Sequence, residues 1–238
     1  VGFAAMKAMI DAREWLPQDQ AVELTIKTTS LDDEPMAAKG IVRIHRLVEP
    51  ERVPRARLDM RHIRRPDEPQ PPDPSDPNSW APGEVATEKA FATDEKGLTT
   101  ISFDLKAGVY RAILESQDAF GKKVNAQWPL HVLRPDAEKL ATKIPQFLVA
   151  QEWSVEPGGE FVALWGTGYD SGRALIEIEH RGKIIDRFWT AHDRTQQQIR
   201  RTITEEMRGG FQLHVTQMRE NRAYLKSKRI EVPWSNKQ

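Results

Sequence analysis

Strict alternation of apolar and polar residues marks much of this chain. Near its middle, Val124, Ala126, Trp128, Leu130 and Val132 share one face at period two, with Lys123, Asn125, Gln127 and His131 between them. That spacing turns one side of an extended strand toward a core and the other toward water. Just upstream, Tyr110, Ala112 and Leu114 alternate with Arg111, Ile113 and Glu115. Between the two runs lies Asp118-Ala119-Phe120-Gly121, a turn ending in a glycine that tolerates positive φ. The stretch 108–133 therefore predicts a β-hairpin. A second hairpin is predicted near the C-terminus, where Gly210-Phe211-Gln212-Leu213-His214-Val215 alternates, Glu220-Asn221-Arg222 turns, and Ile230, Val232 and Trp234 alternate again.

Further strands are predicted around Val22, Leu24 and Ile26, along Ile41-Val42-Arg43-Ile44-His45-Arg46-Leu47, and around Ile101, Phe103 and Leu105. Residues 1–10 fit either a helix, from Ala, Met and Lys, or an opening strand led by Phe3. From Pro50 the alternation fails for about forty residues and resumes as strand near Glu84. Arg55, Arg57, Arg61, Arg64 and Arg65 crowd together there, followed by a run rich in Pro and Asp from Pro66 to Pro77. Such a segment cannot form a ladder or bury much apolar surface, and it predicts an extended loop. Residues 135–145 read as a proline-bounded connector with one helical turn over 136–140.

After the connector the opening order returns. Trp153-Ser154-Val155-Glu156-Pro157 and the apolar run Phe161-Val162-Ala163-Leu164 match Trp15 to Leu24 in kind, and Gly172 to Ile178 matches Gly40 to Leu47. Trp15 and Trp153 stand 138 positions apart, whereas Gly108 and Gly210 stand only 102 apart. The difference of 36 is close to the length of the arginine–proline segment, so the chain reads as two copies of one domain, the first carrying an insertion. Each copy has about seven short strands with turn signals every 8–12 residues or so, the pattern of an antiparallel β-sandwich of immunoglobulin or fibronectin type. The expected fold is all-β: a sandwich over 1–134 with an inserted loop at about 50–90, a linker at 135–145, and a second sandwich over 146–238.

Composition narrows the function. With 238 residues, 39% hydrophobic and 29% charged, there is apolar material for two cores. Formal net charge is zero, so no global field favours nucleic acid or an anionic membrane, and neither is expected as a partner. The chain has no cysteine, which removes thiolate nucleophiles and cysteine-based metal sites. No apolar run approaches the roughly 20 residues of a membrane span, and no signal peptide is visible. Opening on Val-Gly-Phe, already inside an apolar pattern, is what a piece of a longer polypeptide would do.

No catalytic constellation stands out, and no cofactor is expected. His45, His62, His131, His180, His192 and His214 are scattered without H-x-x-x-H spacing. Neighbouring strands would allow His45 to meet His131, or His180 to meet His214; solvated strand histidines are the simpler reading. Asp73, Asp76 and Asn78 cluster oxygen ligands but lack calcium-loop spacing. Two surface features remain. Trp165, Tyr169 and Trp189 are candidates for an aromatic patch that binds sugar, set against the alternative that large aromatics fill the core. Arg55, Arg57, Arg61, Arg64 and Arg65 are candidates for a protease-sensitive loop.

Several stretches resemble the alpha-2-macroglobulin family in its bacterial form. Trp15-Leu16-Pro17-Gln18-Asp19-Gln20-Ala21-Val22-Glu23-Leu24 resembles the start of a macroglobulin-type domain, as does Gly40 to Leu47. Leu105-Lys106-Ala107-Gly108-Val109-Tyr110, followed by Asp118-Ala119-Phe120-Gly121, resembles the closing strands written L-x-x-G-x-Y and D-x-x-G. Val155-Glu156-Pro157-Gly158-Gly159-Glu160-Phe161-Val162-Ala163-Leu164 resembles the start of the next domain, which heads the bait-region segment. The resemblance implies a broad-specificity endopeptidase inhibitor of the periplasm or cell envelope, in which a bait is cut and a thioester captures the protease. Its partners would be neighbouring domains of the parent chain and, through the whole protein, target proteases. The thioester motif C-G-E-Q is not in this chain. On this reading the two sandwiches are structural and not enzymatic. An adhesion or glycan-binding module of a surface protein is the alternative.

Overall fold

The computed structural model describes residues 5–57 and 71–234. Among them the chain is all-β, with fifteen strands and two single-turn 3-10 segments. It divides into two compact units, Val1–Val48 with Trp80–Arg134, and Glu49–Ser79 with Pro135–Gln238.

The first unit contains β1 (Met6–Asp11), β2 (Leu16–Pro17), β3 (Val22–Ser30), β4 (Lys39–Leu47), β5 (Pro82–Ala92), β6 (Leu98–Phe103), β7 (Gly108–Gln117) and β8 (Lys123–Leu133). One sheet has the order β1-β3-β6 and the other β2-β8-β7-β4-β5. All pairings are antiparallel except β2 with β8, which run parallel through Leu16 and Val132. Phe3 lies outside the described residues, and from Met6 the ambiguous opening is a strand: Met6 and Ile10 are buried on one side while Lys7 and Asp11 face water. Leu24, Ile26, Val42, Ile44, Phe103, Ala112 and Leu114 form the sandwich core. The period-two pattern dictates this, because only one face of each strand offers apolar area to remove from water.

Two local devices close this sandwich. The Tyr110 hydroxyl donates to the Lys106 carbonyl at 2.8 Å, a tyrosine corner that ties the start of β7 to the preceding loop. At the β7–β8 turn the Asp118 carboxylate accepts the N–H groups of Ala5 (2.8 Å), Phe120 (2.9 Å) and Lys122 (2.8 Å). These bonds, that from Ala5 foremost, hold the carboxyl below its ordinary range. Gly121 completes the turn at φ +77. The L-x-x-G-x-Y and D-x-x-G stretches are thus sandwich-closing hardware.

The second unit contains β9 (Phe147–Ala150), β10 (Glu160–Gly166), β11 (Ala174–His180), β12 (Lys183–Trp189), β13 (Gln196–Thr202), β14 (Phe211–Arg219) and β15 (Arg222–Ile230). Its sheets are β13-β10-β9 and β12-β11-β14-β15. The strand plan of the first unit recurs, and an isolated parallel bridge from Ser154 to Glu231 stands where β2 meets β8. The repeat is offset by one residue from its sequence alignment. Tyr110 lies opposite Leu130 and Phe211 opposite Ile230, so Gly108 corresponds to Gly209 rather than Gly210. Phe211 therefore occupies the corner position without a hydroxyl. Its ring packs edge-on against Phe161 at 5.7 Å, within a core that includes Trp165, Ile176, Ile178 and Leu213.

Two boundaries differ from the sequence reading. Strand resumes at Pro82, close to the Glu84 read from the sequence, so the inserted loop stops short of 90; β5 is an edge strand with a single buried residue, Phe91, which leaves little apolar pattern to mark it. Residues 135–145 carry turn and bend rather than a helical turn, and they are not a free linker. They lie along β13, where the side chains of Gln196 and Gln198 donate to the Ala137 and Pro135 carbonyls at 2.8 and 3.0 Å. The approach is close: a Cβ at Gly168 would sit 2.1 Å from the Thr142 oxygen.

The insertion has a simple origin. In the second unit β11 and β12 are joined by Arg181 and Gly182 at φ +50 and +74, a two-residue hairpin turn. At the same place in the first unit, between β4 and β5, the chain instead makes an excursion that groups with the second unit.

Candidate functional site

A group of buried polar side chains lies at the β14–β15 end of the second unit. The β14–β15 hairpin turns there through Glu220 and Asn221, both at positive φ (+51 and +57), as a type I′ turn requires. Arg219 and Arg222 are therefore partners across the last rung of the ladder. Behind them, Gln217, Tyr224 and Tyr169 are buried. The Tyr169 and Tyr224 hydroxyls are 3.3 Å apart, and Gln217 Nε2 donates to Thr167 Oγ1 at 3.1 Å. Thr167 in turn donates to the Pro145 carbonyl at 2.7 Å. Burial, then the bond to Tyr224, pushes the Tyr169 phenol well above its ordinary pKa, so it stays protonated. The Arg219 guanidinium lies over the Tyr169 ring, 5.4 Å from its centroid. Outside, Arg55 Nε meets Glu220 Oε2 at 3.2 Å. An open concavity of about 370 Å³ is lined by Met218, Arg219, Glu220, Asn221, Arg222 and Ala223.

The residues singled out from the sequence fall in different places. Arg55 is exposed and paired with Glu220, and Arg57 is exposed, its backbone N–H donating to Asp73 Oδ2 at 3.2 Å. Arg61, Arg64 and Arg65 lie outside the described residues. Trp165 is completely buried in the core and Tyr169 is buried in the polar cluster, while Trp189 is 52% exposed at the end of β12. The three rings do not form one surface platform. Trp165 faces inward because β10 is buried on both sides, with every residue from Phe161 to Gly166 inside. Trp189 carries the Arg173 guanidinium over its ring at 4.5 Å.

Neither suggested histidine pair is matched across its strands, and His62 lies outside the described residues. His45 and His131 sit on β4 and β8, which flank β7, and His180 and His214 are matched with Lys183 and Glu177. His214 instead bridges Ser227 Oγ (2.8 Å) and Glu179 Oε2 (3.0 Å). Asp73 and Asp76 spend carboxylate oxygens on the local N–H groups of Ser75 and Asn78, which makes them turn caps. Among the described residues no group of three or more His, Asp and Glu could hold a metal, and no helix is long and apolar enough to cross a membrane.

Sequence reasoning read Glu220-Asn221-Arg222 as a turn and no more. The available signal was an arginine on each side of a two-residue turn, a spacing that sets the two directly opposite one another.

The fold is that of tandem antiparallel sandwiches. No family model matches the chain, and no curated protein matches it. Trypsin-activated alpha-2-macroglobulin from Escherichia coli aligns over 97% of this chain and 17% of that chain, with 12% identity and a TM-score of 0.38. Salmonella alpha-2-macroglobulin reacted with methylamine aligns over 96% of this chain and 16% of that one, with 11% identity and a TM-score of 0.35. A tetra-tandem repeat in the extending region of a large adhesion protein aligns over 95% of this chain and 48% of that one, with 10% identity and a TM-score of 0.33. This chain spans only a small part of the length of the macroglobulins it is similar to. TM-scores this low carry no functional argument, and the weight falls on the chain's own residues.

Proposed function

We propose that this chain supplies two non-enzymatic scaffolding sandwich domains of a larger alpha-2-macroglobulin-like protease trap of the cell envelope. The observation that supports the reading is where the family-like residues fall. Tyr110 ties the β7 corner, Asp118 and Gly121 make the β7–β8 turn, and Leu16 holds the parallel β2–β8 contact. These are the positions that close a sandwich, so the resemblance is one of architecture and asks no chemistry of this segment. Reactive groups of the trap would sit elsewhere in the parent. The test uses the full-length parent: trypsin incubated with it should keep hydrolysing a small peptide substrate while its rate on a protein substrate falls. An unchanged rate on the protein substrate would sink the trap reading.

Two narrower readings attach to particular residues. The arginine-rich insertion is a protease-sensitive loop on our reading, supported by the exposure of Arg55 and Arg57. Brief trypsin digestion with mass spectrometry tests this, and first cuts elsewhere in the chain would end it. The adhesion alternative retains Trp189 alone among its three aromatics, since Trp165 and Tyr169 are out of a ligand's reach.

A further inference from the structure

The tip of the β14–β15 hairpin holds an arrangement that is unfavourable as it stands. Arg219 and Arg222 are direct cross-strand partners, and like charges so placed repel. Both Nε atoms are buried and without a hydrogen-bond partner among the described residues, although buried donors are nearly always paired. Arg222 gives one Nη to the neighbouring Asn221 carbonyl at 3.1 Å. The carboxylate between them in sequence is turned to other partners: Glu220 takes Arg55 Nε at 3.2 Å and lies 3.5 Å from the Tyr169 hydroxyl. Glu220 itself sits at φ +51, a conformation a glutamate rarely adopts. Like-charge facing and orphaned donors at one hairpin tip point together to a missing counter-group.

We propose that this tip is a receptor for a phosphate or sulfate group, free or carried on a larger molecule, held between Arg219 and Arg222. Each guanidinium offers a planar fork of N–H donors, and the ring of Tyr169 beneath Arg219 fixes the plane of one fork. A tetrahedral dianion has enough oxygens to accept from both forks at once. It accepts from the outward N–H groups of both guanidiniums and removes the repulsion between the two cations. A single carboxylate can fill only one fork. Arg55 cancels the charge of Glu220 and so keeps that carboxylate from repelling the anion; it is a positioning residue here. The concavity of about 370 Å³ at the tip leaves room for the group and for part of whatever carries it. The site is built from the hairpin and its immediate neighbours, and it does not depend on the parent being a protease trap.

The test is an NMR titration of the intact chain with inorganic phosphate at constant ionic strength, following the arginine Nε–Hε signals. The Arg219 and Arg222 signals should shift downfield and saturate, with acetate moving them far less. Arg219→Gln and Arg222→Gln should each weaken binding on the order of tenfold, the loss of a charge-assisted fork. Arg219→Lys, which keeps the charge and loses the fork, should weaken it nearly as much, whereas Glu220→Gln should tighten it. O-phosphoserine run beside inorganic phosphate separates the sources: equal affinity means the oxyanion alone is read, and tighter binding means a carried group. Signals that respond only to ionic strength would overturn the proposal. So would Gln variants that give an unchanged fold spectrum and bind phosphate as the parent does.

Discussion

Tyr110→Phe tests whether the tyrosine corner stabilises the first sandwich, and the molecule carries its own control. The substitution removes one oxygen and leaves the ring among Ile44, Ala112, Leu130 and their neighbours, so no cavity opens. What is lost is the 2.8 Å bond to the Lys106 carbonyl. A net hydrogen bond is worth about 0.5–1.5 kcal/mol, and this one sits at the upper end because the buried hydroxyl has been desolvated in any case. About 1–1.5 kcal/mol corresponds to roughly 5–10 °C in the transition of a domain near 100 residues. The second unit has Phe211 at the matching place, where the Met207 carbonyl four residues upstream already takes the Gly210 N–H at 3.0 Å. Phe211→Tyr should therefore gain less than the Tyr110 bond is worth, because the carbonyl at the corner is already engaged and the added hydroxyl must enter close packing. The assay is thermal unfolding with segment-resolved hydrogen exchange, so that each transition is assigned to its unit. If Tyr110→Phe falls within about 0.3 kcal/mol of the parent, the corner contributes nothing and the reasoning fails.

Two further outcomes rest on buried groups. Trp165→Ala should cost the second unit about 3–5 kcal/mol in urea unfolding; Trp165→Phe should cost much less, because the indole N–H it removes is buried without a partner among the described residues. His131, half-buried, has its pKa lowered by burial to about 4; an unfolded histidine titrates near 6.5. Between those values the unfolded chain binds more protons, so the contribution is complete above about pH 6.5 and is lost as pH falls toward 4, by at most about 3 kcal/mol. Urea midpoints at pH 7 and 4.5 should draw together in His131→Gln, and an unchanged pH dependence would exclude this residue as the cause.

The sandwich type and the two-copy plan were legible because burial on one face leaves a period-two trace in β3, β4, β7, β8 and β14. Where burial is not one-sided the trace disappears. β5 lies at a sheet edge with both faces largely wet, so the sequence marks strand near Glu84 without fixing where the inserted loop stops. β10 is buried on both faces, so Trp165 carried no sign of which way it points and passed for a surface candidate. The Arg219–Arg222 pairing was overlooked for another reason. Reading Glu220-Asn221-Arg222 as a loose three-residue turn, rather than two residues between paired arginines, hides which side chains face each other. One-residue register is what pattern reading resolves least well, and it also separated Gly210 from its true equivalent, Gly209.

The insertion offers the strictest test of the repeat. In the second unit His180 and Lys183 pair across a two-residue turn. In the first, Val48 N–H donates to the Ala81 carbonyl at 2.9 Å on either side of the excursion, so the ladder is already closed at its base. Replacing Glu49–Ser79 with Asn-Gly should therefore leave the β4–β5 pairing intact. Shortening that loop about tenfold lowers its closure cost by roughly 2 kcal/mol, a gain that belongs to the first unit. The second unit loses the Arg55–Glu220 pair, exposed on both sides and worth at most about 1 kcal/mol. It also loses the bond from the Lys143 N–H to Glu49, about 1 kcal/mol more. The two unfolding transitions should thus move in opposite directions, the first upward and the second downward. With Arg55 gone, the Glu220 carboxylate stands uncompensated beside Arg219 and Arg222, and phosphate binding at the tip should weaken. If the first unit unfolds earlier instead, the excursion is part of its sandwich rather than an elaboration of a hairpin turn.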